Sequence, residues 1–118
     1  MPDFADPQAL LPHPATPAPV IFAIDAGIAS LADGCIAFRY RVRGDMARVR
    51  VPAALASERC DLLWEHTCFE AFVAQEEGNG YREFNFSPSG QWMAFDFAAY
   101  RQRVADPQLS GPRLSLSR

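Results

Sequence analysis

Along much of this chain, apolar and polar residues alternate with a period of two. Residues 35–44 read CIAFRYRVRG, which places Ile36, Phe38, Tyr40 and Val42 on one side of an extended backbone and Arg39, Arg41 and Arg43 on the other. Successive strand side chains point to opposite faces, so the pattern predicts a half-buried antiparallel strand with a solvated arginine face. The same reasoning predicts strands at residues 20–31 (bulged near Gly27), 47–51, 67–74, 81–86 and 91–97. Asp33-Gly34 supplies a strong hairpin turn between the first two runs, and EEGNG and Ser87–Gly90 join the last three. PAALAS, residues 52–57, suits either a loop or one helical turn, while RLSLSR at the end reads as the start of another strand. Strands at this spacing indicate an all-β antiparallel domain.

Register follows from which residues must share a face, because a slip of one residue exchanges the two faces of a strand. A four-residue loop at Ser87–Gly90 would set Phe86 opposite Gln91 and Phe84 opposite Met93, with Phe95 and Phe97 continuing a core face. A three-residue loop would group Phe84 and Phe86 with Trp92 and Asp96, a less consistent mixture, so the four-residue loop is expected. Asn85 then faces Trp92, Glu83 faces Ala94 and Tyr81 faces Asp96. Pairing Thr67–Ala74 with Tyr81–Ser87 puts Phe69, Ala71 and Val73 inside, and one of the registers then open sets Glu70 beside Asn85. The expected outer row is Glu70, Asn85 and Trp92, with Tyr81, Glu83 and Asp96 alongside. Aromatic rings stack on the apolar face of a pyranose while carboxylates and amides bond its hydroxyls, so the row suits a sugar.

Six of the ten prolines fall in residues 1–19, which predicts an extended arm, since proline fixes φ and lacks a backbone donor. The 118 residues suffice for one domain, divided here into the arm at 1–19 and a β-domain at 20–118. Eleven basic residues, all arginine, against fourteen acidic ones leave a net charge of −3, which argues against a nucleic-acid binder. Three cysteines with no C-x-x-C spacing argue against a zinc knuckle or disulfide scaffold. Neither a signal peptide nor a membrane-spanning apolar run is present, and the expected compartment is the cytoplasm.

Other chemistry is weaker. His66, Cys68 and Glu70 alternate and point the same way on a strand, a legal metal geometry, but closed sites draw ligands from a second segment, and the only other histidine, His13, lies in the arm. Glu70, Glu83 and Asp96 are candidates for a carboxylate acid/base pair, yet Arg82 and Arg101 are available as partners, and no nucleophile or nucleotide motif appears. Neither a catalytic residue nor a cofactor is therefore assigned. Trp64 is read as a core or rim anchor.

LLPHPATPAP, DLLWEHTCFEAFVA, YREFNFSPSGQW and MAFDFAAYR together resemble the bacterial DOMON-like proteins, whose fold is similar to family 9 of the carbohydrate-binding modules. Trp64, Glu70, Tyr81 and Ser87-Pro88-Ser89-Gly90 match the outline of the carbohydrate-binding relatives; Thr67 and Ser87 replace the Asp and Asn common there, so contacts through those groups do not carry over. The resemblance implies an antiparallel β-sandwich with more strands than this chain supplies, so that residues 20–118 would be the N-terminal portion of a domain incomplete at its C-terminus. The haem-binding relatives use a Met and a His, and Met93 and His66 do not form a matched pair in the expected register. The leading expectation is a non-catalytic sugar-binding module using Trp92, Tyr81, Glu70, Glu83 and Asn85. A structural or protein-interaction module, and a haem- or metal-binding one, are the competing readings.

Overall fold

The computed structural model describes residues 2–117 and is all-β, with two antiparallel sheets and only short 3-10 turns as helix. The chain divides into two compact units, Met1–Val49 and Arg50–Arg118.

In the first unit, β1 (Gln8–Ala9), β2 (Ile21–Ser30) and β3 (Ile36–Gly44) form a sheet in that order. The β2–β3 hairpin turns at Asp33 and Gly34, whose φ values of 69° and 73° are the left-handed pair that Asp-Gly tolerates. The Leu31 N–H donates to the Cys35 carbonyl at 2.8 Å and closes the turn. The register irregularity lies between Ile21 and Ala23; Gly27 is not bulged but pairs in register with Arg39.

The proline-rich arm carries no helix among its described residues, but it turns at 13–16, where the Thr16 N–H donates to the His13 carbonyl at 3.1 Å. Its first half hydrogen-bonds to β2. The Ala5 N–H donates to the Ile28 carbonyl at 3.1 Å, and the Leu10 N–H to the Ile24 carbonyl at 2.9 Å. Prolines flank β1 and do not interrupt it, which suits an edge strand. Phe4 packs over Gly27, where a side chain would lie 3.6 Å from its ring, and the Arg39 guanidinium rests 4.2 Å from the Phe4 centroid. The arginine stripe is therefore solvated at Arg41 and Arg43 but partly covered at Arg39. Residues 47–51 do not form the expected strand. Met46–Arg48 is a 3-10 turn whose bonds are local, with the Arg48 N–H on the Asp45 carbonyl at 3.0 Å.

In the second unit, β4 (Phe69–Ala74), β5 (Tyr81–Phe86), β6 (Trp92–Ala99) and β7 (Gln102–Arg103) form a sheet in sequence order. The far edge of β6 is shared. Its beginning makes a parallel bridge to Arg59, with the Trp92 N–H on the Glu58 carbonyl at 3.1 Å, and its end pairs with β7. Residues 113–117 of the RLSLSR tail, expected to begin a further strand, carry none, and Arg118 lies outside the described residues.

The β5–β6 register differs from expectation by one residue. The Ser87 N–H donates to the Gln91 carbonyl at 2.9 Å and the Gly90 N–H to the Ser87 carbonyl at 3.0 Å, so the connection is the three-residue loop Pro88-Ser89-Gly90. Gly90, at φ 101°, takes the positive-φ position that such a loop needs. The Ser89 hydroxyl donates to Ser87 Oγ at 2.8 Å and accepts from the Gln91 N–H at 3.2 Å, and these side chains fix the turn from within. Phe86 consequently faces Trp92, Phe84 faces Ala94 and Arg82 faces Asp96. With Phe69, Ala71 and Val73 of β4 they form one face; Glu70, Phe72, Asn85, Glu83, Tyr81, Met93, Phe95 and Phe97 form the other. The first face holds most of the buried apolar positions, among them Ala71, Phe86, Trp92 and Ala94, and Met93 is buried on the second.

Candidate functional site

The structure brings four of the five expected site residues together and removes the fifth. Glu70 lies directly across from Asn85, as the sequence predicts, and Glu83 and Tyr81 follow on the same face. Trp92 does not join them. It is 4% exposed, shares the opposite face with Phe84 and Phe86, and carries the Arg59 guanidinium 4.9 Å from its ring centre. Gly111 approaches so closely that an added Cβ would lie 2.7 Å from the indole nitrogen, so the ring is enclosed and not available to stack on a ligand. Asp96 likewise leaves the row, its carboxylate bonded twice to the Arg82 guanidinium, at 2.7 and 3.1 Å. Trp64 is not an anchor either. It is 60% exposed at a 3-10 turn, and Leu63 beside it is the buried residue.

Asn85 is the centre of the row and is 1% exposed. Oriented so that its nitrogen meets acceptors, its amide donates to Glu83 Oε2 at 3.0 Å, Glu70 Oε1 at 3.3 Å and the Phe84 carbonyl at 3.1 Å. A buried amide thus holds two carboxylates side by side. Loss of hydration pushes the Glu83 carboxyl above the usual range; the Glu70 charge and a hydrogen bond with Glu70 push the same way, while the Asn85 bond and the Arg103 charge oppose them. Cys68, which precedes Glu70 by two residues, is half-buried, and its thiol is pushed up to about 11 by burial and by the charges of Glu70 and Glu83. These two residues repel negative charge from the same spot. Among the described residues, no three His, Cys, Asp or Glu side chains converge in a metal-holding arrangement.

Tyr81, the ring that the sequence placed in the row, is joined there by rings that the sequence pattern did not assign to it. Tyr81 stacks on Phe97 with centroids 4.8 Å apart and planes 9° from parallel, and Phe72 lies 6.2 Å from Tyr81. Phe72 is 61% exposed and directly opposite Glu83. Phe72, Tyr81 and Tyr100 line an open groove of about 530 Å³ whose rim includes Gly78, Asn79 and Gly80 of the β4–β5 loop. Once Phe72 is placed on the face of Glu70, strand alternation alone identifies it as the exposed ring. Tyr100 had no such signal, because it lies in the turn after β6.

No family model, no curated protein and no solved structure matches the chain. No helix among the described residues is long and apolar enough to cross a membrane.

Proposed function

We propose that this chain is a non-catalytic ligand-binding β-domain whose second unit receives a sugar or sugar-containing ligand on the face of Tyr81, Glu83 and Glu70. One observation carries the reading. An aromatic-walled groove formed by Phe72, Tyr81 and Tyr100 lies beside a carboxylate pair that a buried amide holds in place. A pyranose offers an apolar face for a ring and a rim of hydroxyls for carboxylates, and this face presents both groups within neighbouring strand positions. Phe72 takes the stacking role expected of Trp92, beside Tyr81, which keeps its own. Glu70 and Glu83 bond hydroxyls, and Asn85, too buried to reach a ligand, positions both acids. The resemblance to DOMON-like and family 9 carbohydrate-binding proteins points the same way.

Titration of the isotopically labelled chain with mono- and oligosaccharides, followed by backbone and aromatic NMR shifts, tests the proposal. Saturable shifts at Phe72, Tyr81 and Glu83 that disappear in Phe72→Ala are expected. A folded protein whose spectrum no saccharide perturbs would overturn it. A protein-interaction role is the second reading, favoured by the exposure of Phe72 and Tyr100 on one open surface; its signature is a partner that Phe72→Ala releases while sugars have no effect.

A further inference from the structure

A second concavity in the same unit has a different chemistry. Between the 3-10 turn at Leu63–Glu65 and the tip of the β5–β6 hairpin lies a cleft of about 540 Å³, lined by Arg50, Glu65, His66, Ser87 and Gln91 over an apolar floor that includes Leu63 and Pro52. Its walls are fixed by hydrogen bonds. The Thr67 hydroxyl donates to the Arg50 carbonyl at 2.6 Å and ties the Arg50 segment to the start of β4. The Leu55 N–H donates to the Ser89 carbonyl at 2.8 Å and ties the following loop to the hairpin tip. Ser87, 5% exposed, receives the Ser89 N–H at 3.1 Å and the Ser89 hydroxyl at 2.8 Å. When Ser89 donates to it, the Ser87 hydroxyl has its own proton left to offer.

The charges decide what fits. Arg50 and Glu65 line the same cleft, yet neither forms an ion pair with the other or with any other described residue. Two unpaired opposite charges lining one cleft over an apolar floor match a ligand that carries both charges at its head and an apolar group behind them. The guanidinium takes a carboxylate through its planar fork, the glutamate takes an ammonium, and Ser87 and Gln91 supply directional bonds beside them.

We propose that this cleft binds a small apolar α-amino acid, independently of the aromatic groove. Calorimetric titration of the full chain with leucine, Leu-Leu, N-acetyl-leucine and leucinamide tests it. Leucine is expected to bind saturably and more tightly than Leu-Leu, whose ammonium and carboxylate lie on different residues. Removing either head charge should weaken binding about tenfold, as should Arg50→Ala or Glu65→Gln, both exposed positions where folding is retained. Phe72→Ala should leave leucine binding unchanged, so failure of the sugar proposal and failure of this one are distinguishable. Absence of saturable leucine binding to the folded chain, or equal binding of Leu-Leu or of the capped analogues, overturns the proposal.

Discussion

Phe86 sits directly across from Trp92 in the β5–β6 hairpin, and both rings lie on the buried side of the sheet. That pairing places the two tryptophans of the chain in opposite environments, because Trp64 stands in solvent at a turn. Truncation should therefore separate them. Trp92→Ala is expected to cost about 3–5 kcal/mol, the usual loss for a large buried ring, whereas Trp64→Ala should stay within about 0.5 kcal/mol. Urea unfolding of the two variants measures the difference, and acrylamide should quench Trp64 far more readily than Trp92.

The Glu70–Glu83 pair makes stability depend on pH. Burial and the neighbouring acid raise the folded Glu83 carboxyl above its unfolded value, so the native state holds this proton more tightly than the unfolded chain does. The contribution is fully present below the unfolded value and is lost as pH rises through the folded one. Melting temperature should fall across that window, and Glu83→Gln, a permanent analogue of the protonated acid, should flatten the fall. Glu70→Gln should bring the Glu83 titration, read by side-chain carboxyl NMR, back towards the ordinary 4.5.

Thiol reactivity should differ among the cysteines. Cys68, with its thiol pushed up to about 11 and half-buried, stays protonated at neutral pH and should alkylate slowly. Cys35 is exposed and should label first. Iodoacetamide labelling followed by peptide mass spectrometry gives the order directly. Glu70→Gln, by removing one of the charges that raise the Cys68 thiol, should quicken its labelling.

Arg82 and Asp96 face each other across β5 and β6, joined by two bonds at 2.7 and 3.1 Å and partly open to solvent. Asp96 raises the Arg82 pKa, mainly through the side-chain bond. Partial exposure limits the value of the pair, and a double-mutant cycle with Arg82→Ala and Asp96→Ala should give a coupling of about 0.5–1 kcal/mol. Salt should weaken the coupling.

Much of the architecture was legible in the alternation of side chains. β5 falls at the predicted residues, the pairing of Glu70 with Asn85 is as predicted, and Asp33-Gly34 makes its turn with both residues left-handed. The period of two fixes which residues of a single strand share a face, and Asp-Gly carries its own backbone preference, so both are local properties. The run at 47–51 failed for the complementary reason. Its pattern is extended, but the bonds that form at Met46–Arg48 are local ones, and strand pairing needs a partner that sequence alone does not provide.

How two strands meet across a turn was not local. Grouping Phe84 and Phe86 with Met93, Phe95 and Phe97 gave the more uniform apolar face, yet Ser87, Ser89 and Gln91 bond among themselves and shorten the loop by one residue. That one residue moved Trp92 to the buried face and brought Phe95 and Phe97 beside the acids. The sequence by itself determined β2 to β6, which residues of each strand share a face, and the turn chemistry at Asp33-Gly34. Tertiary structure decided which aromatic rings accompany the acids and which charges share a cleft unpaired, because the side-chain bonds at a hairpin tip and the packing around an indole join residues that no periodicity relates.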